Sequence, residues 1–149
     1  MNVIPSEEDW GEYWKDFDQK SAYGSFFGKS NSQMQDAFYK DGNDLMTEIR
    51  FMPVIPFRYY ILGFRDFILN DKFPPYEASD IITYFLDMVV WVLDESPEKI
   101  APVMQELMPS ISFVANNQVK YEADEQIYGS FLDRLNKIQE LCTKNSILA

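Results

Sequence analysis

With 149 residues, 46% of them hydrophobic and 16% aromatic, the chain is long enough to bury a real core and too apolar for disorder. Thirteen Lys and Arg against twenty-four Asp and Glu give a formal charge of -11, a field that repels phosphate backbones and anionic lipid and speeds encounter with a basic protein. The absence of histidine excludes Ser-His-acid and Cys-His catalysis together with the usual soft-metal ligand sets.

The first residues lack the positive-then-apolar pattern of a signal peptide, and the one cysteine, Cys142, cannot make an internal disulfide. The expectation is a cytoplasmic protein forming a single helical domain over 1-149. Pro5-Ser6-Glu7-Glu8-Asp9 reads as a helix start, with Ser6 as cap and three acids near the positive end of the dipole. Trp10, Tyr13, Trp14 and Phe17 follow at i, i+3, i+4 and i+7, which predicts one aromatic face packed on the domain, opposite Glu12, Lys15, Asp16 and Asp18.

Ser21 to Asn31, containing Gly24 and Gly28, reads as a loop. Within it, Gly24 to Ser30 superficially matches the phosphate-loop pattern, but only three residues separate the glycines and no strand leads in, so a surface turn is expected. Met34, Phe38, Leu45, Ile49 and Met52 predict either one long helix or a pair broken at Asp41-Gly42-Asn43-Asp44. Pro53 and Pro56 form a rigid connection, with Pro56 just before or inside the first turn of the next helix. Phe57, Tyr60, Ile61, Phe64, Phe67 and Ile68 form that helix's buried stripe, while Arg58 and Arg65 lie on nearly the same side. A small sheet over 45-60 is the structural alternative.

After a Pro74-Pro75 connection, Asp80 to Leu93 reads DIITYFLDMVVWVL, so dense an apolar run that other helices should surround it. As a helix it would be roughly 20 Å long, too short to cross a bilayer. Ser79 or Asp80 can cap it. Two strands would need a turn near Asp87-Met88, where no Gly, Pro or Asn sits.

Ser96 and Pro97 start the next helix, and Pro102 and Pro109 predict that the region from Pro97 to Gln118 is kinked or divided. Ile127, Tyr128, Phe131, Leu135, Ile138 and Cys142 then repeat along one face of a final helix after an Asp124 cap. The fold class is therefore all-α, an irregular bundle of five to seven helices around a central apolar helix.

Among single residues, Asp87 is the most informative because it interrupts that central helix. It either shares a solvent stripe with Asp80, Thr83 and Asp94, pairs with Arg58 or Arg65, or serves a site. Asp87, Arg58 and Arg65 are expected to be buried or semi-buried polar groups. Cys142 reads as a small buried residue. Neither acid-rich segment, Glu7 to Asp18 or Asp36 to Glu48, follows a calcium-loop pattern. No catalytic, cofactor or metal residue is assigned, and the chain is not expected to be an enzyme. The residues expected to meet a basic protein are Glu8, Glu12, Asp16, Asp41, Asp44, Glu48, Glu122 and Glu125, with Tyr and Trp as desolvated anchors.

Three stretches, WGEYWKDF, MPVIPFRYYILGFRDFIL and VKYEADEQIYGSFLDRL, resemble the small acidic immunity proteins of bacterial toxin systems. The resemblance implies a cytosolic protein that binds and neutralises a cognate toxin, often a nuclease, through exposed acids and aromatics. A non-catalytic helical scaffold or adaptor is the alternative, and a carboxylate-based or metal-dependent enzyme the second.

Overall fold

In the computed structural model, which describes residues 3-147, the regular elements are helical and none of the described residues forms a strand. The all-α expectation holds, and residues 45-60 contain helix in place of the alternative sheet. No helix among the described residues is long and apolar enough to cross a membrane. By its internal contacts the chain divides into two compact units, Met1–Asn70 and Asp71–Ala149.

The first unit begins with two short 3-10 turns, Glu8–Trp10 and Tyr13–Lys15, followed by α1 (Phe17–Phe26), α2 (Asn31–Arg50) and α3 (Val54–Asn70). The single aromatic helix expected from Ser6 does not form. Gly11 adopts a φ of 57°, and Asp16 is extended at φ -125°, so the helical phase is lost twice in six residues. Trp10, Tyr13, Trp14 and Phe17 therefore diverge: Trp10 is fully buried, whereas Trp14 is 57% and Phe17 87% exposed. Ser6 still acts at the first turn, its hydroxyl accepting the Asp9 N–H at 3.4 Å while Asp9 Oδ2 accepts the Ser6 N–H at 2.8 Å.

The stretch 21-31 expected as a loop is helical up to Phe26, with Gly24 inside α1. Only Ala22 and Phe26 of α1 are buried, so no apolar repeat marked it as a helix. The Asp16 carboxylate caps α1 by accepting the Gln19 N–H at 2.9 Å. Gly28, at φ 77°, then turns the chain into α2, and no nest of phosphate-binding amides is built from Gly24 to Ser30. Instead Ser30 and Gln33 form a capping box, with Ser30 Oγ accepting the Gln33 N–H at 3.1 Å and Gln33 Oε1 accepting the Ser30 N–H at 2.8 Å. Further along, α2 departs from helical geometry at Asp41, φ -136° and ψ 41°, within the stretch where one of the two sequence readings put a break. Its apolar side nevertheless continues through Met34, Phe38, Leu45 and Ile49.

Pro56 lies in the first turn of α3, and the predicted stripe from Phe57 to Ile68 is buried. Where α2 meets α3, Asn31 Nδ2 donates to the Tyr59 carbonyl at 2.9 Å and Gln35 Nε2 donates to the Gly63 carbonyl at 3.1 Å. The Tyr59 hydroxyl accepts the Asn31 N–H at 3.1 Å. These bonds require Gly63. A Cβ there would run into the Asn31 side chain, lying 2.8 Å even from Asn31 Cβ, an atom close to the α2 backbone.

The second unit contains α4 (Ala78–Glu95), α5 (Pro97–Ala115), a 3-10 turn (Gln118–Tyr121), α6 (Glu125–Tyr128) and α7 (Phe131–Lys144). The apolar run recognised in the sequence is α4, and α5 and α7 pack on it and on each other. Ile82, Phe85, Leu86, Met88, Val89 and Leu93 on α4 are fully buried. Neither Ser79 nor Asp80 caps this helix, because it starts earlier; the Ser79 hydroxyl instead donates to Tyr128 Oη at 3.0 Å.

Ser96 occupies the cap position of α5 but makes no side-chain capping bond. Nor is α5 divided: Pro102 and Pro109 both lie inside one helix. The two prolines are seven residues apart on its exposed side, as are Glu98 and Gln105, whose carbonyls lose their i+4 donors there and can turn to water.

The single final helix expected from Asp124 is also two. Asp124 caps α6, accepting the Gln126 N–H at 2.8 Å, but Gly129 at φ 78° ends it and Ser130 starts α7 by accepting the Asp133 N–H at 3.2 Å. Ile127 consequently falls off the apolar face and is 74% exposed, while Phe131, Leu135, Ile138 and Cys142 stay buried.

Asp87 pairs with Arg134, a residue the sequence analysis did not name for it. Its Oδ1 accepts from Arg134 Nε at 2.7 Å, joining α4 to α7, with side chains 31% and 19% exposed respectively. Arg65 meets its neighbour Asp66 at 2.8 Å, and both Arg58 and Arg65 are half-buried.

Two outcomes follow from this packing. Gly63→Ala should lower stability by about 1-3 kcal/mol, the usual range for overpacking, read as a fall in the urea midpoint followed by circular dichroism. Asp87→Asn should cost roughly 1-2 kcal/mol through the weakened charged hydrogen bond, and much less in an Arg134→Met background, where the bond is already gone.

Candidate functional site, an acidic aromatic surface

The partner-binding acids named from the sequence fall in three places. Glu8, Glu12 and Asp16 lie on the N-terminal segment, Asp41, Asp44 and Glu48 on α2, and Glu122 and Glu125 before and at the start of α6. All are exposed except Glu48, which is half-buried and accepts from the Ser21 hydroxyl of α1 at 2.6 Å. Glu12 forms a surface ion pair with Lys15, and Asp16 is the α1 cap, so both also have local structural roles.

What the sequence did not disclose is the aromatic arrangement beside the first group. Tyr13 and Tyr23 stack with ring centroids 3.7 Å apart and planes 6° apart. Tyr23 continues onto Phe27 at 4.5 Å, and Trp14 meets the edge of the stack through Tyr13 at 5.2 Å and 83°. From the other side, buried Trp10 supports Tyr23 at 5.5 Å and itself leans on Tyr60 of α3. The Tyr60 hydroxyl lies 2.8 Å from the Phe26 carbonyl and 2.7 Å from that of Lys29, donating to the end of α1 and fixing the turn below Phe27.

The outcome is a row of four rings, Trp14-Tyr13-Tyr23-Phe27, whose ends are open: Trp14 is 57% and Phe27 38% exposed. The Tyr23 phenol is pushed up to about 12, first by desolvation, then by the Tyr13 hydrogen bond and the charges of Tyr13 and Glu7. Glu7 is therefore near enough to the row for its charge to be felt. Spacing in the sequence treated Trp10, Tyr13 and Trp14 as one helical face; the stack forms because the chain doubles back and α1 returns Tyr23 and Phe27 to them.

In the second unit, Glu122, Asp124 and Glu125 line a cavity of about 370 Å³ together with Gln118, Val119 and Ala123. Val119 is 91% exposed. Gln118 shapes this region, its Nε2 donating to the carbonyls of Ala123 and Gly129 at 2.8 Å each and its Oε1 accepting the Phe131 N–H at 2.8 Å. Beside it, Lys120 pairs with Asp71 at 3.0 Å. The Tyr121 phenol is pushed up to about 12 by burial and then by the Asp71 charge.

Among the described residues, no three acidic or cysteine side chains gather closely enough to hold a metal ion. Cys142 is buried, as expected, and burial pushes its thiol up. No family model, curated protein or solved structure matches the chain.

The raised Tyr121 phenol has a definite consequence for stability. Its folded value of about 12 exceeds the ordinary 10.0, so its share of stability is complete below pH 10 and is lost as pH rises towards 12. Thermal midpoints measured from pH 8 to pH 12 should fall more steeply in the wild type than in Tyr121→Phe, roughly from pH 10 upward.

Proposed function

We propose that this protein is a protein-binding inhibitor, an immunity protein that neutralises a cognate basic toxin such as a nuclease. It acts by occlusion and performs no chemistry of its own. Its carboxylates steer and pair with the Lys and Arg side chains that a nuclease uses for the phosphate backbone, and its exposed rings provide the desolvated anchors.

The observation that carries this reading is the exposure of Trp14 and Phe17, 57% and 87%, on a segment that also bears Glu12, Asp16 and Asp18. Two large rings left in water have no part in holding the core, and their removal should be tolerated by the fold. A formal charge of -11 on the whole chain supplies the long-range attraction such a partner would respond to. The resemblance to acidic immunity proteins supplies the toxin, and the cytoplasm is the compartment that goes with it.

A scaffold or adaptor would present the same surface to a different partner without suppressing activity. The discriminating experiment mixes the purified protein with the product encoded beside its own gene. A one-to-one complex that abolishes that product's activity is expected. In Trp14→Ala/Phe17→Ala the thermal midpoint should stay within about 2 °C of wild type while binding weakens about thirtyfold or more. No complex, or a complex without inhibition, would sink the immunity reading.

A further inference from the structure

We propose that the row Trp14-Tyr13-Tyr23-Phe27 is an arginine-selective docking surface, on which the partner's guanidinium groups stack against the open rings while neighbouring carboxylates hold their N–H donors. The inference rests on the inhibitor reading above and names the partner chemistry at that surface.

Three features favour a cationic planar group there. The rings are ordered before any partner arrives, because Tyr13 and Tyr23 are parallel at 3.7 Å and Trp10 braces them from the buried side. A rigid aromatic platform loses little conformational freedom on binding. The face it offers is π-rich, and Trp14, the most exposed of the four rings, is the side chain with the strongest attraction for cations. The nearby charges are acidic in balance: Glu7 is felt at Tyr23, and Glu12, Asp16 and Asp18 are exposed within four residues of Trp14, against Lys15, already paired with Glu12, Lys20, one turn before Tyr23, and Lys29, whose Nζ donates to the Ser25 carbonyl at 3.0 Å.

A neutral planar or proline-rich ligand would gain from the rings but nothing from this charge. A lysine would gain from the charge yet present a compact, strongly hydrated ammonium in place of a plane. Arginine gains from both, since guanidinium is planar, stacks on aromatic faces and offers paired donors to a carboxylate.

The test uses two blocked peptides of equal charge, Ac-(Gly-Arg)3-NH2 and Ac-(Gly-Lys)3-NH2, titrated into the full chain at low salt and followed by indole and backbone amide NMR shifts. Preference for the arginine peptide by about threefold is expected, in line with the strength of an exposed cation–π contact, with the largest shifts at Trp14 and Tyr13. Trp14→Leu, which keeps an apolar side chain but removes the ring, should bring the ratio of the two affinities to about one. Equal affinities in the wild type, a ratio unchanged by Trp14→Leu, or shifts confined to the second unit would each overturn the proposal. Inhibition of the neighbouring gene product without arginine preference would leave the inhibitor reading standing and remove this one; arginine preference without inhibition would do the reverse.

Discussion

The missing side chain of Gly63 is the constraint on which the first unit turns. Because α3 carries no Cβ at that point, Asn31 and Gln35 at the start of α2 can reach carbonyls of Tyr59 and Gly63. Such bonds add second acceptor contacts to carbonyls already inside a helix, and they hold the two helices at close range in a way that apolar packing alone would not specify. With α2 and α3 so fixed, Tyr60 is aimed at the end of α1 and Trp10 finds a wall to bury against. The surface row of rings is the outermost layer of that sequence of contacts.

Its position explains how one short segment can hold both a fully buried and a largely exposed indole. Trp10 and Trp14 are four residues apart, a spacing that would place them on one side of a continuous helix. Gly11 and the extended Asp16 interrupt the helix, so one indole enters the core and the other remains outside. A segment built this way joins the surface to the core: the rings that face water are braced by rings that do not. Aromatics held in place this way lose little conformational freedom on binding, which is what the docking surface proposed above asks of them.

The second unit uses a different device. Between Ile81 and Leu93 α4 is largely apolar, so burial between α5 and α7 is enough to place it, and the one charged residue within that stretch, Asp87, is met by Arg134. The pair lies at the margin of the core, where partial solvation reduces the desolvation cost while the bond still orients α7 on α4. Gln118 serves a comparable purpose for the loop before α7, tying three backbone groups with one side chain.

The sequence by itself determined the helical class, the identity of α4, the stripe of α3 and the burial of Cys142, and it marked Asp41-Asp44 as the one place where α2 could break. Each rests on a strong local signal, either apolar periodicity or a residue whose backbone preferences are narrow. It could not locate α1, whose helix shows only two buried residues, and the Ser30-Gln33 capping-box spacing, which could have placed the start of the next helix, went unread. It joined α6 to α7 because Ile127 fits the apolar spacing, while the left-handed backbone at Gly129 overrode that spacing. It also left open whether α5 is kinked or divided at prolines that an exposed helix side accommodates within one helix.

Only the tertiary structure chose Arg134, 47 residues away, as the partner of Asp87, and only it assembled Trp14, Tyr13, Tyr23 and Phe27 into one row. The physical reason is common to both. Periodicity reports which side of an element turns inward, whereas pairing and stacking depend on where two distant elements bring their side chains together, and no local pattern in the chain encodes that meeting.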